Sequence, residues 1–215
     1  MGDALTGSFN ESASSDGTRG YAKGRARRAE IIARALEAFS VEGYRSSSVV
    51  QIAAACGVSR AGLLHYFPTK ESLLTAVLEE RDRVDQERFF GAGVGALDGA
   101  EVMRRLVRLV DHNASNVGIV RLFVVLSAEA TDASHPAHDF FARRYQRVRG
   151  LLAAAIAELA SSGGLRPGVA ADGLATELVA LIDGLQVQWL FDPSSVDMGA
   201  RLRARMSEVL TVEID

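Results

Sequence analysis

Cysteine, proline and tryptophan are scarce in this 215-residue chain, which has one cysteine, four prolines and one tryptophan. The lone Cys56 has no internal partner, so no intrachain disulfide forms and nothing calls for an oxidising compartment. No apolar run reaches the roughly 18 residues of a membrane span, because Leu174 to Leu190 is interrupted by Glu177, Asp183 and Gln186. The first twenty residues lack the basic start and apolar stretch of a signal peptide, so the expected location is the cytoplasm. Strand signals are missing too: beyond residue 101 there is no alternating β-branched run and no Asn-Gly hairpin. Phosphate-cradling loops, dinucleotide fingerprints and a G-x-S-x-G elbow are likewise missing, so neither enzyme chemistry nor a cofactor is expected.

The remaining composition is that of a soluble globular protein, 48% hydrophobic and 24% charged. Its net charge of −3 is unevenly spread. Residues 23 to 47 hold Lys23, Arg25, Arg27, Arg28, Arg34 and Arg45 against three glutamates, while residues 81 to 215 are mildly acidic. A basic N-terminal module on an acidic body suits a nucleic-acid partner, and ordinary solvated charge reads the same way. His65, His112, His135 and His138 are the obvious metal candidates, but their spacing does not supply the three or four convergent ligands zinc needs, so no metal is expected.

Helical periodicity organises the chain. Ile31, Ile32, Ala35, Leu36 and Phe39 form one face of a helix over about 25–42, ended by Gly43. Ser48-Val49-Val50-Gln51 has the form of a capping box opening a second helix, which stops at Gly57. Ser59 caps a short third helix to about Phe67, and Thr69 caps a fourth over about 70–88. Further helices are expected at about 101–113, 116–131, 136–161, 171–190 and 195–211. Residues 1–22 read as a disordered tail and 91–100 as a hinge. The expected fold is all-α: a DNA-binding domain over 23–80, with its helix-turn-helix at about 49–68, joined to a larger helical domain over 81–215.

Two short helices joined by a tight turn let the second lie in the major groove while the first braces it. The turn glycine is Gly57, the small residue at the closest approach is Ala53, and the inward positions are Ile52, Cys56, Val58, Leu63 and Tyr66. The run GYRSSSVVQIAAACGVSRAGLLHYFPTKESLL, preceded by Ala35, Phe39, Gly43 and Tyr44, resembles the DNA-binding domain of TetR-type repressors. That resemblance covers about residues 26–80. It implies phosphate contacts from Ser47, Ser48, Tyr66 and Lys70, and a groove-facing surface of Ser59, Arg60, Ala61 and His65. Arg60 suits either a guanine edge or a phosphate. Gly62 and Leu64 depart from the commoner residues of such proteins, so affinity leans on the basic segment holding Lys23, Arg27 and Arg28.

The same resemblance implies a homodimer on a palindromic duplex operator, with an effector pocket in the second domain. Expected pocket residues are His112, Asn113, Arg121, Phe123, Glu129 and Trp189. Apolar stripes on the two long helices, including Leu152, Ile156, Leu159, Leu178, Leu181 and Leu185, serve either a dimer interface or the chain's own core. The leading functional expectation is a repressor released from its operator by a small hydrophobic ligand. An activator or ligand-independent regulator is the runner-up, and a helical enzyme or partner-binding protein is the rival of a different class.

Overall fold

The computed structural model describes residues 13–91 and 97–214, with side chains from residue 21 onward. Among these residues there are nine α-helices. Helix α1 is Ala13–Glu42, α2 Val49–Ala55, α3 Arg60–Tyr66 and α4 Lys70–Asp85, the last continued by a π-helical turn, Gln86–Phe90. Then follow α5 Gly99–Asn113, α6 Val117–Glu129, α7 His138–Ser161, α8 Leu174–Phe191 and α9 Met198–Val209.

The expected tail is corrected at its C-terminal end. Helix α1 already runs from Ala13, because elongating an existing helix is cheap compared with nucleating one, and the stretch before Glu30 contains several good helix formers. The remainder of that expectation, and most of the hinge at 91–100, lie outside the described residues.

Local caps set the next boundaries. Ser48 accepts from the Val50 amide at 3.2 Å, but the reciprocal bond expected from Gln51 is not among its cap contacts. Ser59 accepts from Gly62 N–H at 3.0 Å. The full capping box falls on α4 instead, where Thr69 accepts from the Ser72 amide at 3.1 Å and Ser72 Oγ accepts from the Thr69 amide at 3.2 Å. Replacing Thr69 with Ala should therefore cost about 1 kcal/mol in urea unfolding. An unchanged midpoint would show the box to be dispensable. Gly57, with φ at 64°, makes the turn between α2 and α3 in the left-handed region that glycine enters at little cost.

Apolar side chains gather into two clusters. The first joins Ile31 and Phe39 of α1 to Ile52, Leu63, Phe67 and Leu74, and it is completed by Leu122, Leu126, Phe140 and Phe141 from α6 and α7. Residues 23–80 therefore do not seal their own core. The second is built on α5, α7, α8 and α9, with Met103, Leu152, Ile156, Leu178, Trp189 and Leu202 at its centre. Helix α8 meets the bare length and hydropathy requirement for crossing a membrane despite Glu177 and Asp183. Its Leu174, Leu178, Leu185 and Trp189 are nevertheless spent on this core.

Two glycines lie where one helix comes close to the backbone of another. A Cβ on Gly99, at the start of α5, would lie 2.4 Å from the Ala155 carbonyl oxygen of α7. A Cβ on Gly118, at the start of α6, would lie 2.8 Å from the Ser40 carbonyl of α1.

Candidate nucleic-acid interface and buried cavity

Helices α2 and α3 stand against α1 and α4 through Ile52, Ala53, Cys56, Leu63 and Phe67, all at most 3% exposed. Of the inward positions expected from the sequence, Val58 and Tyr66 are only half-buried, and Phe67 occupies the core slot that was missed. Burial pushes the Cys56 thiol above its ordinary pKa, which keeps it in the neutral, unreactive form.

The outer side of α3 presents Ser59, Arg60, Ala61 and His65 to solvent, with Tyr66 half-buried beside them. Arg60 makes no ion pair among the described residues, so its guanidinium is uncommitted. Ser48 is half-buried at the start of α2. Lys70 donates to the Arg45 carbonyl at 3.1 Å and lies 4.6 Å from the centre of the Tyr44 ring. Burial lowers its pKa.

Ser47 requires a correction. It is 4% exposed, and its hydroxyl lies 2.7 Å from the Gly43 carbonyl oxygen and 3.2 Å from that of Ala38. A hydroxyl with one proton directed at buried carbonyls is closing the turn after α1, so it is not offered to a phosphate. In the basic segment of α1, Lys23 is exposed. Arg27 bonds Glu30 at 2.8 Å and the Cys56 carbonyl at 3.0 Å, and Arg28 packs over the Phe67 ring at 5.0 Å. Arg27 and Arg28 thus hold α1 beside the turn and the end of α3.

A cavity of about 380 Å³ lies between the two clusters. Its apolar wall comes mainly from α5, α6 and α7, including Leu106, Leu109, Phe123, Phe141, Val148 and Leu151. Its polar groups are Arg81, Asp82 and Asp85 of α4, Gln86 of the π-helical turn, Asn113 of α5, Ser127 of α6, Arg144, Tyr145 and Arg147 of α7, and Asp183 and Gln186 of α8. Three guanidiniums are closed into ion pairs: Arg81 with Asp85, and both Arg144 and Arg147 with Asp82. Arg81 Nη2 also donates to Asn113 Oδ1 at 3.5 Å, while its Nε is buried without a partner among the described residues. Tyr145 donates to Asp183 at 2.9 Å. Burial raises the Asp85 and Asp183 carboxyls above the ordinary range, lifts Tyr145 to about 12 and draws Arg144 down to about 10.

Asn113 and Phe123 are the two expected pocket residues that line this cavity. The other four are elsewhere, because each has a different packing role. His112 packs against Phe89 with ring centres 5.4 Å apart and planes tilted by 43°, and it contacts Arg88. Arg121 points to solvent. Glu129 pairs with Arg45 at 3.1 Å and faces His135 at 3.7 Å. Trp189 is 5% exposed within the second core. The charged residues of α4 and α7 were missed, since nothing local in sequence connects Asp82 to Arg144.

The expected dimer stripe is corrected in the same way. Leu152, Ile156, Leu159, Leu178 and Leu185 are 7% exposed or less within a single chain, so they belong to its own core. Leu181 alone of the six is half-buried. The outer sides of α7 and α8 carry smaller residues: Gly150, Ala153 and Ala157 on one, Ala180, Gly184 and Val187 on the other.

Comparison with known proteins places this arrangement. Residues 31–77 match the tetR family of bacterial regulatory proteins, and residues 101–214 match the C-terminal domain of BetI-type transcriptional repressors. The HTH-type transcriptional regulator RutR of Escherichia coli (strain K12) is 44% identical over 55 residues, a match spanning 26% of either chain. A transcriptional regulator from Saccharomonospora viridis, solved in complex with choline, is 25% identical with a TM-score of 0.69, covering 88% of this chain and 100% of that one. The regulator FadR of Bacillus subtilis, solved with stearoyl-CoA, has a TM-score of 0.67 at 19% identity, covering 83% of this chain and 95% of its own. With the helix-turn-helix, the helical body and both family matches in agreement, this chain belongs to the tetR family of bacterial regulatory proteins.

Proposed function

We propose that this chain is a homodimeric transcriptional repressor, cytoplasmic and without catalytic activity, which leaves a palindromic operator when a small molecule fills the cavity. The observation that carries this reading is the continuity of α4. Its first residue, Lys70, sits beside the helix-turn-helix, its Leu73, Leu74, Val77 and Leu78 lie in the N-terminal cluster, and its Arg81, Asp82 and Asp85 line the cavity. Sixteen helical residues span about 24 Å, and a helix transmits displacement along its axis with little loss. Helix α6 supplies a second connection, touching α1 at Gly118 and the cavity at Ile119, Val120 and Phe123.

In this reading α3 enters the major groove, with Ser59, Arg60, Ala61 and His65 toward the bases. Ser48, Tyr66, Lys70 and Lys23 serve the phosphates, while Arg27 and Arg28 brace α1. The cavity volume falls in the usual range for small-molecule sites. The choline and stearoyl-CoA complexes support the idea that this fold encloses organic ligands of unlike chemistry. For a ligand to release DNA it must bind one arrangement of the two DNA-binding modules better than the other.

Operator binding to fragments recovered by genomic footprinting tests the contacts. Arg60→Ala should lose about 1–3 kcal/mol at the contacted base pair and flatten preference there. Lys70→Ala should weaken all duplexes alike and shallow the salt dependence. If both variants bind the footprinted fragment as the parent does, α3 is not the reading element.

A further inference from the structure

The loop between α1 and α2 is held by both domains. Lys70, at the start of α4, donates to the Arg45 carbonyl at 3.1 Å, and Tyr44 donates to Glu71 at 3.5 Å. The Arg45 side chain goes to the second domain instead, where its Nε lies 3.1 Å from Oε1 of Glu129, the last residue of α6. Arg45 is thus beside Lys70 in space and three residues before Ser48, the N-cap of α2. Both neighbours face the expected phosphates, yet the charge between them is given to a carboxylate.

Two features make this ion pair exchangeable. The Arg45 side chain is 77% exposed, so water and salt screen its attraction to Glu129 and the pair opens at little cost. Glu129 also has a second partner, because His135 Nε2 lies 3.7 Å from its Oε2. The Ala137 amide donates to His135 Nδ1 at 3.2 Å, which leaves the ring hydrogen on Nε2, facing the carboxylate. Departure of the arginine therefore does not strand Glu129. A duplex backbone offers the guanidinium a denser run of negative charge, with phosphate oxygens that match its fork.

Helix α6 sets where this carboxylate stands. Ala128, the residue before Glu129, lines the cavity, and Gly118 at the opposite end of the helix meets Ser40 of α1. The competitor for the arginine is placed by the second domain.

We propose that Arg45 is a further phosphate contact and that Glu129 withholds it, an acid of one domain competing with DNA for a base of the other. This rests on the reading of α3 and Lys70 as the DNA-binding face. On the duplex, Arg45 turns to the backbone near the start of α2 and Glu129 is left to His135. Opening the pair subtracts from affinity for every duplex, so Glu129 lowers the overall strength of binding without altering base preference.

The test uses the full chain, a footprinted operator fragment and a scrambled duplex of the same length, with fluorescence anisotropy read over a range of salt. Glu129→Gln, which still accepts from His135, should tighten both duplexes about two- to fivefold per bound protomer. Arg45→Ala should weaken both and reduce the slope of log affinity against log salt by about 0.9 per protomer, one phosphate contact fewer. In the Arg45→Ala background, Glu129→Gln should change nothing. Thermal midpoints should match the parent's throughout, since an exposed pair contributes little to folding. A gain from Glu129→Gln that persists in the Arg45→Ala background reflects only the loss of a negative charge near DNA and overturns the proposal, as does an Arg45→Ala variant with parental affinity and slope. If either result appears while Lys70→Ala and Arg60→Ala still weaken binding, the DNA-binding face stands and the withheld contact is wrong. If none of the four substitutions alters binding, the reading of that face falls with it.

Discussion

Gly99→Val should destabilise the chain by about 3 kcal/mol or more, read as a lower urea midpoint with an unchanged slope. Even a bare Cβ would sit 2.4 Å from the Ala155 carbonyl, 2.7 Å from Glu158 Oε2 and 2.8 Å from Leu159 Cγ. The first of these is backbone inside α7, so the collision is relieved only by moving one helix away from the other. The substitution also disturbs the bond by which the Gly99 amide donates to Glu158 at 2.8 Å. Gly24→Val is the control: it places the same side chain inside α1, where a Cβ meets nothing within 4 Å. That variant should shift the midpoint by less than about 1 kcal/mol. Equal losses from the two would show that the contact between α5 and α7 is not the tight seam described.

The second large effect concerns assembly. Gly184→Arg should convert a dimer into a folded monomer and reduce operator affinity roughly 1,000-fold, toward the nonspecific level. One recognition helix reads too few base pairs to be selective in a genome, so two must be presented in fixed register, and two-fold symmetry does this with one interface. The outer faces of α7 and α8 suit close helix contact because Gly150, Ala153, Ala157, Ala180 and Gly184 let backbones approach. A Cβ at Gly184 meets nothing within 4 Å in its own chain, so an arginine there leaves the monomer intact and improves its helix propensity. Sedimentation and gel shift on one preparation read both consequences. A variant that remains dimeric, with parental operator affinity, would move the interface to another face.

The elements with local chemistry were legible in the sequence. Ser59 and Thr69 cap the helices they were expected to cap, and Gly57 makes the expected turn, because a cap or a left-handed residue depends only on its immediate neighbours. Ser47 was misread because its partners, the carbonyls of Ala38 and Gly43, are set by how α1 ends. Phe67 was read only as the approximate end of the third helix, and it fills a core slot. The dimer stripe failed for a more general reason: apolar periodicity marks a helix face that avoids water without saying whether its own chain or a copy covers it. Here the leucines turn inward and the small residues outward. The charged lining of the cavity depends on α4 meeting α7 across about sixty residues of sequence, which no local pattern encodes.

The central claim is that α3 reads a two-fold symmetric duplex site and that cavity occupancy weakens this reading. The most direct measurement is the salt-dependent dissociation constant of the full chain on fragments recovered by genomic footprinting, with and without a ligand whose binding is blocked by Val148→Phe. The expected result is a palindromic site with half-sites about one helical turn apart or a multiple of it, a steep loss of affinity with salt, a further loss for Arg60→Ala, and weaker binding when the ligand is present. Footprinted fragments bound equally well by Arg60→Ala, or an affinity unchanged by a ligand that fills the cavity, would contradict it.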